Sequence, residues 1–157
     1  MTLSDQIRCY LPLPLTVIAI DRITKNLALS YCRDGCTLNP FVSLDLAFNR
    51  GISWGMFSQA PGNLFYVVTS LVILVTAGLA IYTLRRLRAC KPIWAELLVL
   101  GGSISNITDR FIHGGVVDFI VVSYGQFSWP MFNVADICIV MGVLAMIFEV
   151  YKREWNK

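Results

Sequence analysis

Residues 64–84 read LFYVVTSLVILVTAGLAIYTL, a run without one charged side chain. A helix needs roughly 20 predominantly apolar residues to cross the hydrocarbon core of a bilayer, and this stretch supplies them. Working outward, Tyr10–Ser30, Pro92–Phe111 and Phe132–Tyr151 have comparable length and are mostly apolar. Pro92 suits a first helical turn. The whole chain fits this reading: 56% of its 157 residues are hydrophobic and 15% are charged, with a mean hydropathy of +0.63. Too few charges remain to solvate a globular surface, so the bilayer is the expected solvent. The expectation is an all-α integral membrane protein, one domain over 1–157, with four transmembrane helices and a small extracytoplasmic β-sheet. The first apolar run is read as a retained helix. Asp21, Arg22 and Lys25 sit near its far end and no small-residue cleavage site stands out.

The basic residues flank these spans. Arg8, Arg85, Arg86, Arg88, Lys91, Lys152, Arg153 and Lys157 fall on the side that holds both termini, against Arg33, Arg50 and Arg110 on the other. That asymmetry predicts cytoplasmic termini. The cluster Arg85–Lys91 is expected to set topology and to touch anionic lipid. A nucleic-acid binder would instead need a basic stripe on a folded face, so no nucleic acid is expected. Cys9, Cys32, Cys36, Cys90 and Cys138 are scattered and form no metal-ligand pattern. Cys32 and Cys36 share an outer loop and could pair if it faces an oxidising compartment, with two unpaired thiols as the default.

Two outer segments follow from this topology, Tyr31–Asn63 and Ile112–Met131. In the first, apolar residues alternate at Val42, Leu44, Leu46 and Phe48, a strand signal. Asn49-Arg50-Gly51 signals a turn, and Ile52–Phe57 is expected to return as a second strand. In the second, His113-Gly114-Gly115 allows a sharp bend before the β-branched run Val116–Val122, which is either a strand or a re-entrant piece. Trp54, Trp94, Trp129 and Trp155 read as interface anchors.

Charged groups at membrane depth are costly and need a reason. Asn106, Asp109 and Arg110 lie at the outer end of the third span, with Asn106 spaced to neighbour both charges. Asn133 and Asp136 start the fourth span, three residues apart, and Asp118 sits in the connection between the two. Asp21 lies roughly 13 Å below the outer end of the first span, at ~1.5 Å per residue, with Lys25 one turn above as a partner. Two carboxylates at one depth on neighbouring elements suit an aspartic protease. Such a pair shares a proton, one member activating water and the other donating to the scissile carbonyl. His113 is the only histidine, so no serine triad or metal site assembles convincingly.

Five blocks resemble those of the lipoprotein signal peptidase (signal peptidase II) family. Asp21-Arg22-Ile23-Thr24-Lys25 is similar to its D-x-x-[ST]-K motif. Asn49-Arg50-Gly51-Ile52-Ser53-Trp54-Gly55 resembles its N-x-G block. Gly101 through Arg110 resembles its GG-x-x-x-N-x-x-DR block, Val116-Val117-Asp118-Phe119 its V-x-DF block, and Phe132 through Asp136 its FN-x-AD block. The blocks fall in order along nearly the whole chain. The resemblance implies a catalytic dyad of Asp118 and Asp136, with Asn49, Asn106, Arg110 and Asn133 contacting substrate or lining the site. Asp21, Lys25, Asp109 and Gly51 would be supporting. It implies cleavage of diacylglyceryl-modified prolipoproteins on the amino side of the modified cysteine. It further implies a place in the bacterial plasma membrane with the site near the extracytoplasmic surface, no cofactor or metal, and binding of globomycin-like inhibitors. Ser105 departs from the family's usual Gly before the Asn and is expected to loosen helix packing.

Plainer readings stand beside these. Asp136 would favour a helix dipole and Asp118 would be a loop carboxylate. Asp109 and Arg110 would form an interfacial ion pair, or Arg110 would meet a lipid phosphate or a peptide carbonyl. Asp21 and Lys25 would be a structural pair, and Asn49 a turn residue. A proton-coupled transporter is disfavoured because the polar groups gather at one surface. A noncatalytic assembly subunit would have no need for Asp118 and Asp136 together.

Overall fold

A computed structural model describes residues 3–51 and 62–156. In chain order it contains α1 (Leu3–Tyr10), α2 (Pro12–Tyr31), β1 (Cys36–Asn39), β2 (Val42–Asn49), α3 (Gly62–Arg88), α4 (Trp94–His113), β3 (Val116–Tyr124), β4 (Phe127–Ser128) and α5 (Val134–Trp155). All four anticipated long helices are present. The short α1 was not anticipated; Pro12 opens α2 directly after it. The helix expected to begin at Pro92 begins at Trp94, with Pro92 left outside to accept a hydrogen bond from Arg86 Nη2 at 2.6 Å. Phe132 is likewise not helical. It bridges to Ile120 of β3, and Asn133 caps α5.

The distribution of polarity is inverted relative to a water-soluble protein. Asp21, Glu96, Asp109 and Asn133 are 0% exposed and Lys25 is 1% exposed, whereas Leu74 and Phe148 are 69% and 65% exposed. A surface of large apolar side chains around a polar interior suits a hydrocarbon solvent. Among the described residues, α3 and α5 are long and apolar enough to cross a membrane. The 20-residue helices α2 and α4 have the length but carry the buried charges.

Close helix approach replaces hydrophobic burial as the packing device. A Cβ on Gly102 would stand 2.6 Å from the Ala135 carbonyl oxygen, and one on Gly142 would stand 2.6 Å from that of Ala95. α4 and α5 therefore meet backbone to backbone along their length. At the opposite end from the sheet, Arg86 of α3 places Nε 2.8 Å from Glu96 of α4 and Nη2 2.6 Å from Glu149 of α5.

The strands form one antiparallel sheet in the order β1-β2-β3-β4. The run beginning at Val116 is thus a strand, not a re-entrant piece, and β2 matches the alternation read from the sequence. Ala47 pairs with Asp118 and Asn49 with Val116, while Leu44 pairs with Ile120, so β2 carries one extra residue between Leu44 and Ala47. Such bulges bend a strand and re-aim its side chains, here beside Asp118. The return strand expected over Ile52–Phe57, and Trp54, lie outside the described residues. Cys32 and Cys36 are both free thiols.

Candidate active site

Asp118 and Asp136 reach one pocket from different directions, Asp118 from β3 and Asp136 from the first turn of α5. Asn133 connects them. Its side chain is fully buried, and Nδ2 donates to Asp118 Oδ1 at 2.7 Å while Oδ1 accepts the Asp136 N–H at 2.9 Å. Asp136 Oδ2 accepts the Asn133 N–H at 3.1 Å, closing a reciprocal capping box. The same carboxylate thus caps its own helix and faces the pocket.

Asn106 holds the other oxygen of Asp136, with Nδ2 donating to Oδ1 at 2.8 Å. Its amide orientation is fixed because Oδ1 accepts from Lys25 Nζ at 2.7 Å and from Asn133 Nδ2 at 3.2 Å. Asn49 of β2 donates to Asp118 Oδ2 at 3.1 Å. Its own Oδ1 accepts the Gly51 N–H at 3.1 Å, so the turn reading and the site-lining reading of Asn49 both hold in the geometry.

Asp118 is 2% exposed. Burial, and after it the neighbouring Asp136 charge, push its carboxyl up to about 7. Hydrogen bonds from Asn49 and Asn133 and the Lys25 charge act in the opposite sense. A carboxyl poised near neutrality can give and take a proton at physiological pH.

Beneath the pair lies a buried ionic block. Lys25 Nζ is 2.6 Å from Asp21 and 2.8 Å from Asp109, so the expected Asp21–Lys25 pair is present. Arg22 pairs with Asp109. The carboxylates extend into the elements that carry the pair: Asp21 Oδ1 accepts the Ala135 N–H at 2.8 Å, one residue before Asp136. Asp109 Oδ2 accepts the Val117 N–H at 3.2 Å, one residue before Asp118. Two expectations are corrected here. Asp109 pairs with α2 rather than with Arg110, because adjacent residues on a helix point to different neighbours. Ser105 does not loosen packing; it is fully buried, donates to Asp21 Oδ2 at 2.6 Å and accepts from Arg22 Nε at 3.2 Å.

Arg110 is buried, donates from Nη2 to the Gly51 carbonyl at 2.9 Å, and lies over Phe65 at 5.8 Å. It lines the pocket together with Asn49, Gly51, Asn106, Asp118 and Asp136. Val68 and Val72 of α3, Ser103 of α4 and Ile139 of α5 complete a cavity of about 180 Å3. Sequence reading missed these four, which have no signal beyond belonging to apolar helices. It also missed the bridging role of Asn133 and the part played by Arg22.

Known proteins resemble this chain in sequence and in fold. The model of the family described as signal peptidase (SPase) II matches residues 13–152. A lipoprotein signal peptidase of Burkholderia mallei (strain SAVP1) is 35% identical over 147 residues, 92% of this chain and 88% of that protein. One from Azoarcus sp. (strain BH72) is 33% identical over 151 residues, 94% of this chain and 85% of that protein. Two bacterial membrane enzymes solved by the in meso method share the fold. The first has a TM-score of 0.76 at 24% identity, covering 96% of this chain and 92% of its own. The second has a TM-score of 0.72 at 22% identity, covering 92% and 93%. With the family match spanning nearly its whole length, the chain belongs to the signal peptidase II family, bacterial membrane proteases that remove signal peptides from prolipoproteins.

Proposed function

We propose that this protein is an aspartic endopeptidase that cleaves diacylglyceryl-modified prolipoproteins on the amino side of the modified cysteine, with Asp118 and Asp136 as its dyad. The observation that carries the reading is the Asn133 side chain, which donates to the Asp118 carboxylate and accepts the Asp136 backbone N–H at the wall of one pocket.

In the resting pair one proton is shared. Asp136, held by the Asn133 N–H and by Asn106, takes a proton from water as that water attacks the scissile carbonyl carbon. Asp118 in its protonated form donates to the carbonyl oxygen, and a tetrahedral diol forms. On collapse the C–N bond breaks, a proton passes from Asp136 to the leaving nitrogen, and Asp118 recovers its own proton from the diol. Arg110 and Asn49 hold the substrate backbone, while Asp21, Lys25, Asp109 and Gly51 fix the surrounding elements.

The proposed setting is a single domain with four spans in the plasma membrane, both termini cytoplasmic and the dyad near the extracytoplasmic surface. The uneven distribution of Lys and Arg between the loops supports it. Substrate enters sideways from the lipid, and a globomycin-like cyclic peptide would compete for the same pocket.

The test is cleavage of a diacylglyceryl-modified prolipoprotein by the purified protein in detergent, read as the mass lost with the signal peptide. Wild type cleaves, and Asp118→Asn and Asp136→Asn, each shown to be folded, do not. A fully active variant removes that carboxylate from the dyad. A folded wild type that never cleaves returns the noncatalytic assembly subunit to first place.

A further inference from the structure

A second hollow, of about 530 Å3, meets the first at Asn49 and Asp118. Its volume is in the range of small-ligand sites. The two differ in what walls them. The first takes Val68, Val72 and Ile139 from membrane helices. Among the described residues the second takes nothing from any helix; its walls are β2, β3 and the segment from Phe127 to Met131.

We propose that this sheet-walled groove is the subsite for the mature-side segment of the substrate, the extended peptide immediately following the scissile bond. The proposal rests on the peptidase reading above. A chain cut at the dyad leaves the site in two directions. Its signal half is apolar and membrane-embedded, which fits the helix-walled hollow. Its other half must emerge from the bilayer, and the described walls of the groove continuous with Asp118 come from the outer sheet and its connection.

The groove is pre-formed. Trp129 donates its N–H to the Val122 carbonyl at 2.8 Å, and Phe132 donates to Ile120 at 3.2 Å, so the Phe127–Met131 wall is pinned to β3 at both ends. The β2 bulge tilts Ala47 and Asn49 toward it from the other side. Phe127 and Trp129 stand edge to face at 6.4 Å, yet are 60% and 50% exposed. Such faces offer large contact area at low entropic cost. With Met131 beside them they form an adaptable surface that accepts varied side chains along an extended backbone.

The experiment compares two diacylglyceryl-modified substrates with one signal sequence, one ending at the modified cysteine and one continuing several residues beyond it. For wild type the short substrate has a KM about tenfold above the long one, the effect of losing one well-seated aromatic contact. In Phe127→Ala/Trp129→Ala that ratio falls toward one, and Trp129→Phe restores most of it. Equal KM values for wild type overturn the proposal, as does a ratio that survives in the double variant. A KM that follows acyl-chain length at fixed peptide length in wild type, and no longer does so in Phe127→Ala/Trp129→Ala, assigns the groove to lipid and overturns it too. Failure of wild type to cleave either substrate removes the peptidase reading and this one with it.

Discussion

Replacing Asn133 by alanine removes a side chain that donates to the Asp118 carboxylate and accepts the Asp136 backbone N–H. The helix loses its N-cap, which costs about 1 kcal/mol. Asp118 Oδ1 loses its 2.7 Å donor, and a hydrogen bond to a charged group is worth about 1.5–3 kcal/mol. Because Asp118 already sits near 7, most of that second loss is met by proton uptake. At ~1.36 kcal/mol per pKa unit, its pKa rises by about one to two units. In the proposed mechanism the pair holds one proton, so the alkaline limb of kcat/KM moves upward by the same amount. Meanwhile Asp136 loses the acceptor that fixes its backbone N–H, and a displacement of about 1 Å costs on the order of 100-fold in rate. The assay is initial cleavage rate across the neutral and alkaline range, read by mass. Asn49→Ala serves as comparator: it removes the longer 3.1 Å donor to Asp118 and leaves the cap intact. It should shift the limb in the same direction by less, with a smaller loss of rate. An Asn133→Ala protein that cleaves within threefold of wild type, its alkaline limb unmoved, would refute the bridging role.

Lys25→Met leaves Asp21 and Asp109 buried with Arg22 as the one remaining cation paired with them among the described residues. Breaking a buried pair in this way costs about 3–5 kcal/mol, visible as a lower thermal midpoint in detergent, and Asp21→Asn/Lys25→Met should recover part of it. Gly142→Leu forces a side chain into the 2.6 Å gap against Ala95. Overpacking costs about 1–3 kcal/mol or more, and the same midpoint should fall well below that of Gly78→Leu, whose added Cβ meets nothing within 4 Å.

The long helices were legible because bilayer thickness imposes a length on any span, and residues 64–84 satisfy it without a charge. Their ends were less legible. Pro92 and Phe132 suit a helix by local propensity, but a hydrogen bond to Arg86 and a bridge to Ile120 hold them outside. The alternation from Val42 to Phe48 announced β2. By contrast β1 and β4 are four and two residues long, too short for a period to show. The polar site residues could be singled out because a buried charge in an apolar chain demands an explanation. Their partners could not, since helical spacing says which residues share a face and not which neighbour that face meets. Asp109 is the example, turning to α2 while Arg110 turns toward Gly51. Ser105 is another, because nothing local distinguishes a hydroxyl that bonds across a helix interface from one that merely fills it.

The ionic block under the dyad contains Asp21 and Asp109 against Arg22 and Lys25, a formal sum of zero. A neutral assembly of charges acts at a distance as a multipole, whose field dies away faster than that of a lone ion. The protein can therefore use full charges as mechanical ties in a medium of low dielectric while more distant groups feel little net potential from them; Asp118, much nearer, still registers the Lys25 charge. Any single charge change in the block turns that quiet background into a monopole. Residues that never meet the substrate thereby become able to retune the acidity of the groups that do.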